Sequence, residues 1–289
     1  MTISVHCLEK LPGEAEFYET YWNKKAFMVK NGMPASVMNN LIEADELAGL
    51  SLEEDVRSRI VKKGPTQNDW VCDHGPFDEE VFDALGEVNW SLLVQNVEHY
   101  HLPTKNIIGP FEFSPCWLID DVMVSYSTPG GGVGPHLDSY HVFLVQGAGK
   151  RRWKIGRAAI DNEQYVENID FKILKDGFEG DVFEVEKGDV IYIPPKFPHK
   201  GETLEEGLTF SIGFLGPSLS ELFVEYGQYI EEQDQINSRY EGRALDISSS
   251  GSEIANQEVN NFRDILKGAI DTEHFDKWLR SYFANTDDY

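Results

Sequence analysis

The sequence has few of the residues that cross-link a chain or anchor it in a membrane. Its three cysteines, Cys7, Cys72 and Cys116, form no Cys-x-x-Cys pair, which excludes a zinc ribbon and a disulfide framework. No run approaches the roughly 20 apolar residues that span a bilayer. Residues 1–24 carry charges throughout, unlike a signal peptide. We therefore expect a reduced, cytoplasmic protein.

Basic residues are also scarce. The 289 residues include 25 lysines and arginines against 50 aspartates and glutamates, a formal net charge of −25. Such a field repels nucleic acid and anionic membranes and favours cationic partners, so we expect no direct binding of nucleic acid. An acidic surface also serves solubility alone. The charge is informative about function only if the substrate is a basic protein.

Short apolar or alternating segments follow one another between residues 90 and 214. Gly, Pro and Asp separate them, which is typical of strands and turns. Seven such segments predict an all-β barrel or jelly roll, and residues 146–150 predict a hairpin loop between two of them. The segments are residues 90–97, 119–126, 142–146, 152–155, 181–185, 190–193 and 208–214.

Helical patterns flank these strands. Residues 1 to about 85 predict a mixed, mostly helical region, with one helix opening at Pro34 and another over residues 50–61. After Gly216, apolar residues recur at helical spacing, interrupted by a polar stretch, residues 234–251, that predicts a loop, and Ser252 is a predicted N-cap. The apolar helix faces must be covered, either by the barrel or by a second copy of the chain.

The most informative segment ends in His136-Leu-Asp138. On a strand, residues i and i+2 point to the same face, so these two side chains aim at one point. A later strand, followed by a proline-rich turn, ends in His199. Two histidines and one carboxylate form a facial triad that binds Fe(II) and leaves three positions open. Each motif is weak alone, but together they predict an iron site of His136, Asp138 and His199.

Two features near this site have rival interpretations. The glycine-rich run 130–134 resembles a phosphate-binding loop, but such a loop leads into a helix, and here Pro135 and a predicted strand follow. We expect the glycines to let the backbone approach the site closely. His141 lies near enough to Asp138 to compete as a ligand, but it would leave His199 without a role. We expect His141 to lie next to the ligands without binding the metal itself.

A co-substrate with a free carboxylate, such as 2-oxoglutarate, needs a cation near the metal. Lys150-Arg-Arg152 opens the strand after His141. Alternation puts Arg151 and Arg152 on opposite faces, so one of them points inward. Arginine suits this task because its planar fork binds a carboxylate through two hydrogen bonds. The pattern does not say which of the two arginines points inward. It also allows that the three basic residues form only a solvated cluster where the chain leaves a hairpin.

At these residues the sequence resembles the cupin-like JmjC oxygenases, and among them the bacterial ribosomal oxygenases, arginine hydroxylases of large-subunit ribosomal protein sixteen. The resemblance covers residues 90–95, 119–121, 129–138, 142–143, 146–147, 151–153, 192–195, 198–199 and 274–278. It implies a double-stranded β-helix with Fe(II) on His136, Asp138 and His199. It also implies that Arg151, assisted by Ser127, binds the distal carboxylate of 2-oxoglutarate.

The resemblance further implies a domain organisation and an activity. Residues 1–215 would form the JmjC catalytic domain with its helical N-terminal part, and residues 216–289 a helical region that forms a homodimer. The family's winged-helix domain would begin where this sequence stops. The implied activity is hydroxylation of an arginine β-carbon in a basic ribosomal protein. Two alternatives stay open: hydroxylation of a histidine in a ribosomal protein, and a non-catalytic, acidic cupin-like binding module.

Overall fold

Two units make up the computed structural model of the chain, Met1–Gly216 and Pro217–Tyr289. The structure describes residues 5–66, 69–161, 164–167, 172–175, 177–233, 237, 239–240 and 254–284. The predicted N-cap Ser252 and nearly all of the predicted loop 234–251 lie outside these residues. Among the helices that the structure describes, none is long and apolar enough to cross a membrane.

The first unit contains two β-sheets. Its described strands are β1 (His6–Leu8), β2 (Phe27–Val29), β3 (Ser58–Lys63), β4 (Trp70–His74), β5 (Trp90–Val94), β6 (Ile119–Ser127), β7 (His141–Gln146), β8 (Lys150–Gly156), β9 (Gly180–Glu186), β10 (Val190–Ile193), β11 (His199–Glu205) and β12 (Gly207–Phe214). The large sheet has the order β1-β2-β10-β7-β12-β6-β5-β3-β4, and the small sheet the order β11-β8-β9. Strands β6 to β12 form the jelly roll of a double-stranded β-helix, as the sequence predicts.

Helices occupy the remaining parts of both units. They are α1 (Glu14–Glu16), α2 (Ala35–Met38), α3 (Ala44–Leu50), α4 (Glu79–Ala84), α5 (Val97–Tyr100), α6 (Leu102–Lys105), α7 (Leu219–Glu231), α8 (Asn256–Ile270) and α9 (Glu273–Ala284). One turn of π-helix, Phe17–Tyr21, continues α1, and 3-10 turns lie at Gly109–Phe111 and Cys116–Leu118.

Two local predictions are wrong. Residues 50–61 form no helix: α3 ends at Leu50, and β3 begins at Ser58 between β4 and β5. The β-branched Ile60 and Val61 are buried there, where a strand packs them better than an isolated helix. Residues 146–150 form no hairpin loop either, because β7 and β8 pair in different sheets. This loop instead carries the chain from one sheet to the other.

Strand β7 is buried on both faces, which explains its unbroken apolar run. One face, including Phe143, packs into an aromatic core with Phe17, Phe27 and Tyr192. The other face, with Val142 and Leu144, packs against residues of the small sheet such as Trp153 and Ile155. The second face lies between the two sheets, and the polar side chains described below open into the same space.

The second unit is a group of three described helices. Helix α7 begins with a capping box, in which the Ser218 hydroxyl accepts from the Glu221 amide and the Glu221 carboxylate accepts from the Ser218 amide. Tyr226 holds the helices together: its ring lies 4.8 Å from that of Trp278, and its hydroxyl donates to the Ala269 carbonyl oxygen at 2.6 Å. Many apolar side chains of α7 and α8 are nevertheless exposed.

Candidate active site

His136, Asp138 and His199 come together between the two sheets. One potential ligand atom from each lies within 4.8 Å of the others, and no further group of this kind occurs among the residues that the structure describes. The Nε2 atom of His199 is 3.4 Å from Oδ2 of Asp138, and that of His136 is 3.9 Å from Oδ1. Three converging ligands of this chemistry suit Fe(II) and leave coordination positions open, whereas structural metal sites are usually closed.

The chain itself sets the orientation of both histidine rings. Nδ1 of His136 lies 3.0 Å from the carbonyl oxygen of Gly134, and Nδ1 of His199 lies 2.9 Å from that of Phe197. A carbonyl oxygen only accepts, so both Nδ1 atoms carry the proton. Each Nε2 therefore presents its lone pair to the space between the ligands, as a metal ligand requires.

The expected strand geometry at His136-Leu-Asp138 is only partly present. His136 forms a single antiparallel bridge with His199, and Asp138 lies outside any strand. Asp138 is held instead by the turn before His199, where the Lys196 amide donates to its carbonyl oxygen at 2.8 Å. The two side chains do converge, but the proline-rich turn, and not a regular strand, positions the carboxylate.

Burial and neighbouring side chains keep His136 and Asp138 in the protonation states that bind metal. Burial, together with the neighbouring His199, lowers the pKa of His136 to about 4. Burial alone would raise the pKa of Asp138, but its interactions with His199 and then with His136 outweigh burial, so this pKa is lowered. His136 is thus neutral and Asp138 ionised at neutral pH.

Arg151 settles which of the two arginines points inward. Its side chain is buried, with 5% exposed, and it lines the same cavity as the three ligands. Arg152 points outward and pairs with Glu184 at 2.8 Å. Nη1 of Arg151 donates to the Thr209 hydroxyl at 3.1 Å. No carboxylate within 4.0 Å pairs with Arg151 in the described part of the chain, and burial lowers its pKa to about 10.

The surroundings of Arg151 form a polar cradle with unfilled hydrogen-bonding capacity. Nε of Arg151, Nε1 of Trp153 and Oγ1 of Thr203 are buried without a partner among the described residues. A Cβ added to Gly201 would lie 2.5 Å from Nε of Arg151, so only glycine lets the backbone approach this closely. Ser127, also buried, shares a hydrogen bond of 2.7 Å with Ser91 and lines the cavity. An anionic ligand fits here, because buried cations and donors are costly when unpaired.

The cavity that contains these groups has a volume of about 200 Å³ and is lined by further residues to which the sequence assigned no role. Met123 and Tyr140 form part of its wall, and so does Arg59 from β3. The signal for Met123 is alternation along β6, where Met123, Ser125 and Ser127 all line the cavity. Arg59 gives no comparable signal, because pairing between β3 and β5 is a long-range feature.

Asp121 is the most unusual of the residues that sequence reasoning missed. It lies on β6 two residues before Met123, opposite Gly213, and a Cβ on Gly213 would lie 3.3 Å from its Oδ1 and 3.5 Å from the Tyr140 ring. Its Oδ2 is buried without a partner among the described residues. Burial, and then the carboxylates of Asp120 and Glu98, raise the pKa of Asp121 to about 7.

The remaining histidines take no part in the ligand group. His141, at the start of β7, is buried behind the cavity, where its ring stacks on Trp22 at 3.4 Å and its Nδ1 lies 2.7 Å from the Tyr192 hydroxyl. Burial lowers the pKa of His141 to about 4. Its contacts are thus with aromatic residues of the core, and it is not one of the three converging ligands, in line with the expectation that it does not bind the metal.

Comparisons with known proteins agree with this chemistry. Residues 106–222 match the family described as JmjC domain. The chain is 39% identical to ribosomal protein uL16 3-hydroxylase of Escherichia coli, covering 94% of this chain and 71% of the relative. It is also 39% identical to a probable ribosomal oxygenase of Haemophilus influenzae, covering 93% and 67%. The solved structure of the Escherichia coli ribosomal oxygenase YcfD with cobalt and 2-oxoglutarate aligns with a TM-score of 0.75 at 38% identity, covering 93% of this chain and 70% of that one.

Proposed function

The chain belongs to the JmjC family of ribosomal oxygenases, and on that premise we propose that it hydroxylates the β-carbon of an arginine in the ribosomal protein uL16. It is a 2-oxoglutarate-dependent protein hydroxylase that uses Fe(II). One observation carries the proposal. The cavity is lined both by the His-Asp-His ligand group and by a buried arginine that has no carboxylate partner among the described residues. That combination suits a metal and a dicarboxylic co-substrate together.

In this proposal His136, Asp138 and His199 hold the metal through the two Nε2 atoms and the carboxylate. Bound Fe(II), with 2-oxoglutarate and oxygen, supplies the oxidation of the substrate C–H bond, and the co-substrate leaves as succinate and carbon dioxide. The structure of the relative with cobalt and 2-oxoglutarate supports this assignment. The protein contributes a fixed ligand geometry and a site walled by apolar side chains such as Val142 and Leu144.

Arg151 and Ser127 bind the distal carboxylate of 2-oxoglutarate. Arg151 offers the guanidinium, and the carboxylate replaces solvent that its buried Nε would otherwise need. Ser127 offers a hydroxyl from β6 of the large sheet, which lines the same cavity. A charge-assisted pair at a buried site is stronger than a neutral hydrogen bond, so this end of the co-substrate is anchored while its other end faces the metal.

Asp121 and Tyr140 favour arginine over histidine as the target residue. A substrate guanidinium would neutralise the Asp121 carboxylate and fill the capacity of its buried Oδ2, and the Tyr140 ring offers an aromatic face to the same cation. A neutral imidazole gains much less from such a carboxylate. The net charge of −25 further favours the approach of a basic ribosomal protein in the cytoplasm.

The test is mass spectrometry of ribosomal proteins incubated with the protein, Fe(II), 2-oxoglutarate and air. We expect one oxygen on a single arginine of uL16, and no such gain with Asp138→Ala. A gain on a histidine would keep the chemistry and contradict the choice of residue. Absence of both protein oxidation and succinate release would favour a non-catalytic binding module.

We also propose that the helices after Gly216 form a homodimer. Leu219, Phe223 and Val224 on α7, and Ile265 and Leu266 on α8, are each about half exposed or more. Such a group of apolar side chains is unusual on a monomer and suits a self-complementary interface. Light scattering at micromolar concentration should give twice the chain mass of 32.8 kDa, and Leu266→Asp should reduce it to one; a monomeric wild type would contradict the dimer.

A further inference from the structure

A second pocket borders the active-site segment and is lined by lysines and aromatic rings. Its volume is about 370 Å³. Lys63, Lys154 and Lys200 line it, together with Trp70 and Phe178. We propose that this pocket binds a nucleotide of single-stranded RNA, with the lysines facing a phosphate and an aromatic ring stacking on the base.

The three lysines lack ion pairs of the kind that six other basic residues of this acidic chain make. No carboxylate lies within 4.0 Å of any of them in the described part of the chain. Lys62, one residue before Lys63, pairs with Asp73 at 2.6 Å, and Lys150, on the same strand as Lys154, pairs with Glu184 and Glu186 at 3.2 Å. With acidic residues outnumbering basic ones two to one, three half-buried lysines without such a partner indicate a place for an external anion.

The strand register brings two of these charges directly together. Lys154 of β8 is the cross-strand partner of Lys200 of β11, so both side chains leave the same face of the small sheet. Like charges placed directly opposite each other destabilise a sheet. The neighbouring pair on that face is compensated, since Arg152 faces Glu202 across the strands and also binds Glu184. An anion between Lys154 and Lys200 would remove the repulsion.

Aromatic side chains favour a nucleotide over a simple carboxylate. Trp70 is the cross-strand partner of Lys63, and Nζ of Lys154 lies 4.9 Å from the centre of the Phe178 ring. A cationic groove that also offers aromatic rings is the usual arrangement for single-stranded nucleic acid, in which bases stack and phosphates meet lysines. The pocket has room for about one nucleotide. As a local cationic site it would be an exception to the expectation, drawn from the net charge of −25, that the chain binds no nucleic acid directly.

The site adjoins the metal ligands. Pro135 lines the pocket and directly precedes His136, and a Cβ on Gly134 would lie 3.1 Å from the Trp70 ring. RNA bound here would lie beside the segment that carries a proposed ligand. A ribosomal protein that arrives with its RNA could thus be held at two points, although RNA binding itself does not depend on the proposed hydroxylation.

The experiment is fluorescence anisotropy of labelled hexauridine with the full chain at 50 mM salt, without iron. We expect saturable binding that weakens at least ten-fold in Lys154→Gln/Lys200→Gln, with a log–log salt slope that is less steep by roughly 0.7 for each phosphate that no longer meets a lysine. Lys62→Gln/Lys150→Gln removes the same charge from ion-paired lysines and should leave the affinity within two-fold. Trp70→Leu should weaken binding roughly five-fold or more, because a stacking ring is removed.

Several results would overturn the site. These are no binding by the wild type, equal effects in the two double variants, unchanged affinity in Trp70→Leu, or equally tight binding of a hexaglutamate peptide. The melting temperature of Lys154→Gln/Lys200→Gln should be at or above that of the wild type, because a repulsive pair is removed. Since no turnover is measured, the outcome is separate from that of the proposed hydroxylation.

Discussion

The backbone amides of His136 and His199 each donate to the other residue's carbonyl oxygen, both at 3.0 Å. His199 opens β11 of the small sheet, whereas His136 ends the glycine-rich segment that leaves β6 of the large sheet. This bridge therefore joins the two sheets at the candidate metal site. The separation of the two histidine ligands is set by backbone hydrogen bonds, which most side-chain substitutions leave intact.

Replacing the carboxylate should then remove metal binding without unfolding the protein. In Asp138→Ala we expect the affinity for Co(II), measured by calorimetry, to fall by more than about 100-fold, since loss of even an outer hydrogen-bonding partner costs roughly 10–100-fold. Turnover should be abolished. Asp73→Ala, at a partly exposed residue that pairs with Lys62, is the control and should bind metal normally; retained activity in Asp138→Ala would exclude the ligand assignment.

The neighbouring arginines offer a matched pair of variants. Arg151→Met should weaken 2-oxoglutarate binding by roughly 10–150-fold, because a hydrogen bond to a charged partner is worth about 1.5–3 kcal/mol. Arg152→Met removes the same group from the outer face, where it pairs with Glu184, and should change the affinity less than two-fold. Titration of 2-oxoglutarate by tryptophan fluorescence measures both, and equal effects in the two variants would contradict the inward role of Arg151.

Asp121 should make substrate binding depend on pH near neutrality. Its carboxyl titrates at a pKa of about 7 in the free protein, and only the ionised form attracts a guanidinium. We expect kcat/KM for an arginine peptide to rise between pH 6 and 8. Asp121→Asn should lower it roughly ten-fold or more and flatten the profile, while an unchanged profile would remove Asp121 from substrate recognition.

Ionisation of Asp121, which should favour substrate binding, should lower the stability of the fold. Because folding raises the pKa of Asp121, its contribution to stability is present at low pH and is lost as pH rises through about 7. Asp121→Asn should therefore melt above the wild type at pH 8, by roughly 2–4 °C for each kcal/mol of relieved burial cost. Thermal unfolding at pH 5 and pH 8 gives the comparison, and a lower melting temperature for the variant at pH 8 would contradict it.

His141 should contribute to acid sensitivity. Burial lowers its pKa to about 4, so the unfolded chain takes up a proton more readily than the folded one. The contribution of His141 is thus present above about pH 6.5 and is lost as pH falls towards 4. His141→Gln should reduce the loss of stability over this interval, measured by urea denaturation, whereas His74→Gln on β4 should not. A wild-type dependence in both variants would exclude His141 as the source.

The sequence predicted the jelly-roll strands well because their apolar runs are local and continuous. Strand β10 is buried at every position, and its four residues were predicted with the correct bounds. Strand β11 was missed, since only Leu204 of its seven residues is apolar. Thr203 is the cross-strand partner of Arg151, and a Cβ on Gly201 would also meet the Arg151 side chain. Hydrophobic alternation therefore gives no signal along β11.

Some residues of the candidate site were predictable from the sequence and others were not. His136, Asp138 and His199 were predictable because each lies in a motif with its own spacing. The choice of Arg151 over Arg152 needed either a resemblance or the structure, because alternation says only that the two differ. Asp121 lies in the predicted strand 119–126, but it received no role because alternation does not say which of two adjacent aspartates points inward, and its position opposite Gly213 is a long-range feature.

Each histidine of the ligand group finds the acceptor for its Nδ1 proton only two residues earlier in its own segment, at Gly134 and at Phe197. The tautomer needed for metal binding is therefore determined by two short segments of the chain, residues 134–136 and 197–199. No distant carboxylate is required to orient either ring. Substitutions elsewhere in the barrel can therefore reshape the substrate pocket while leaving the metal-binding tautomers unchanged.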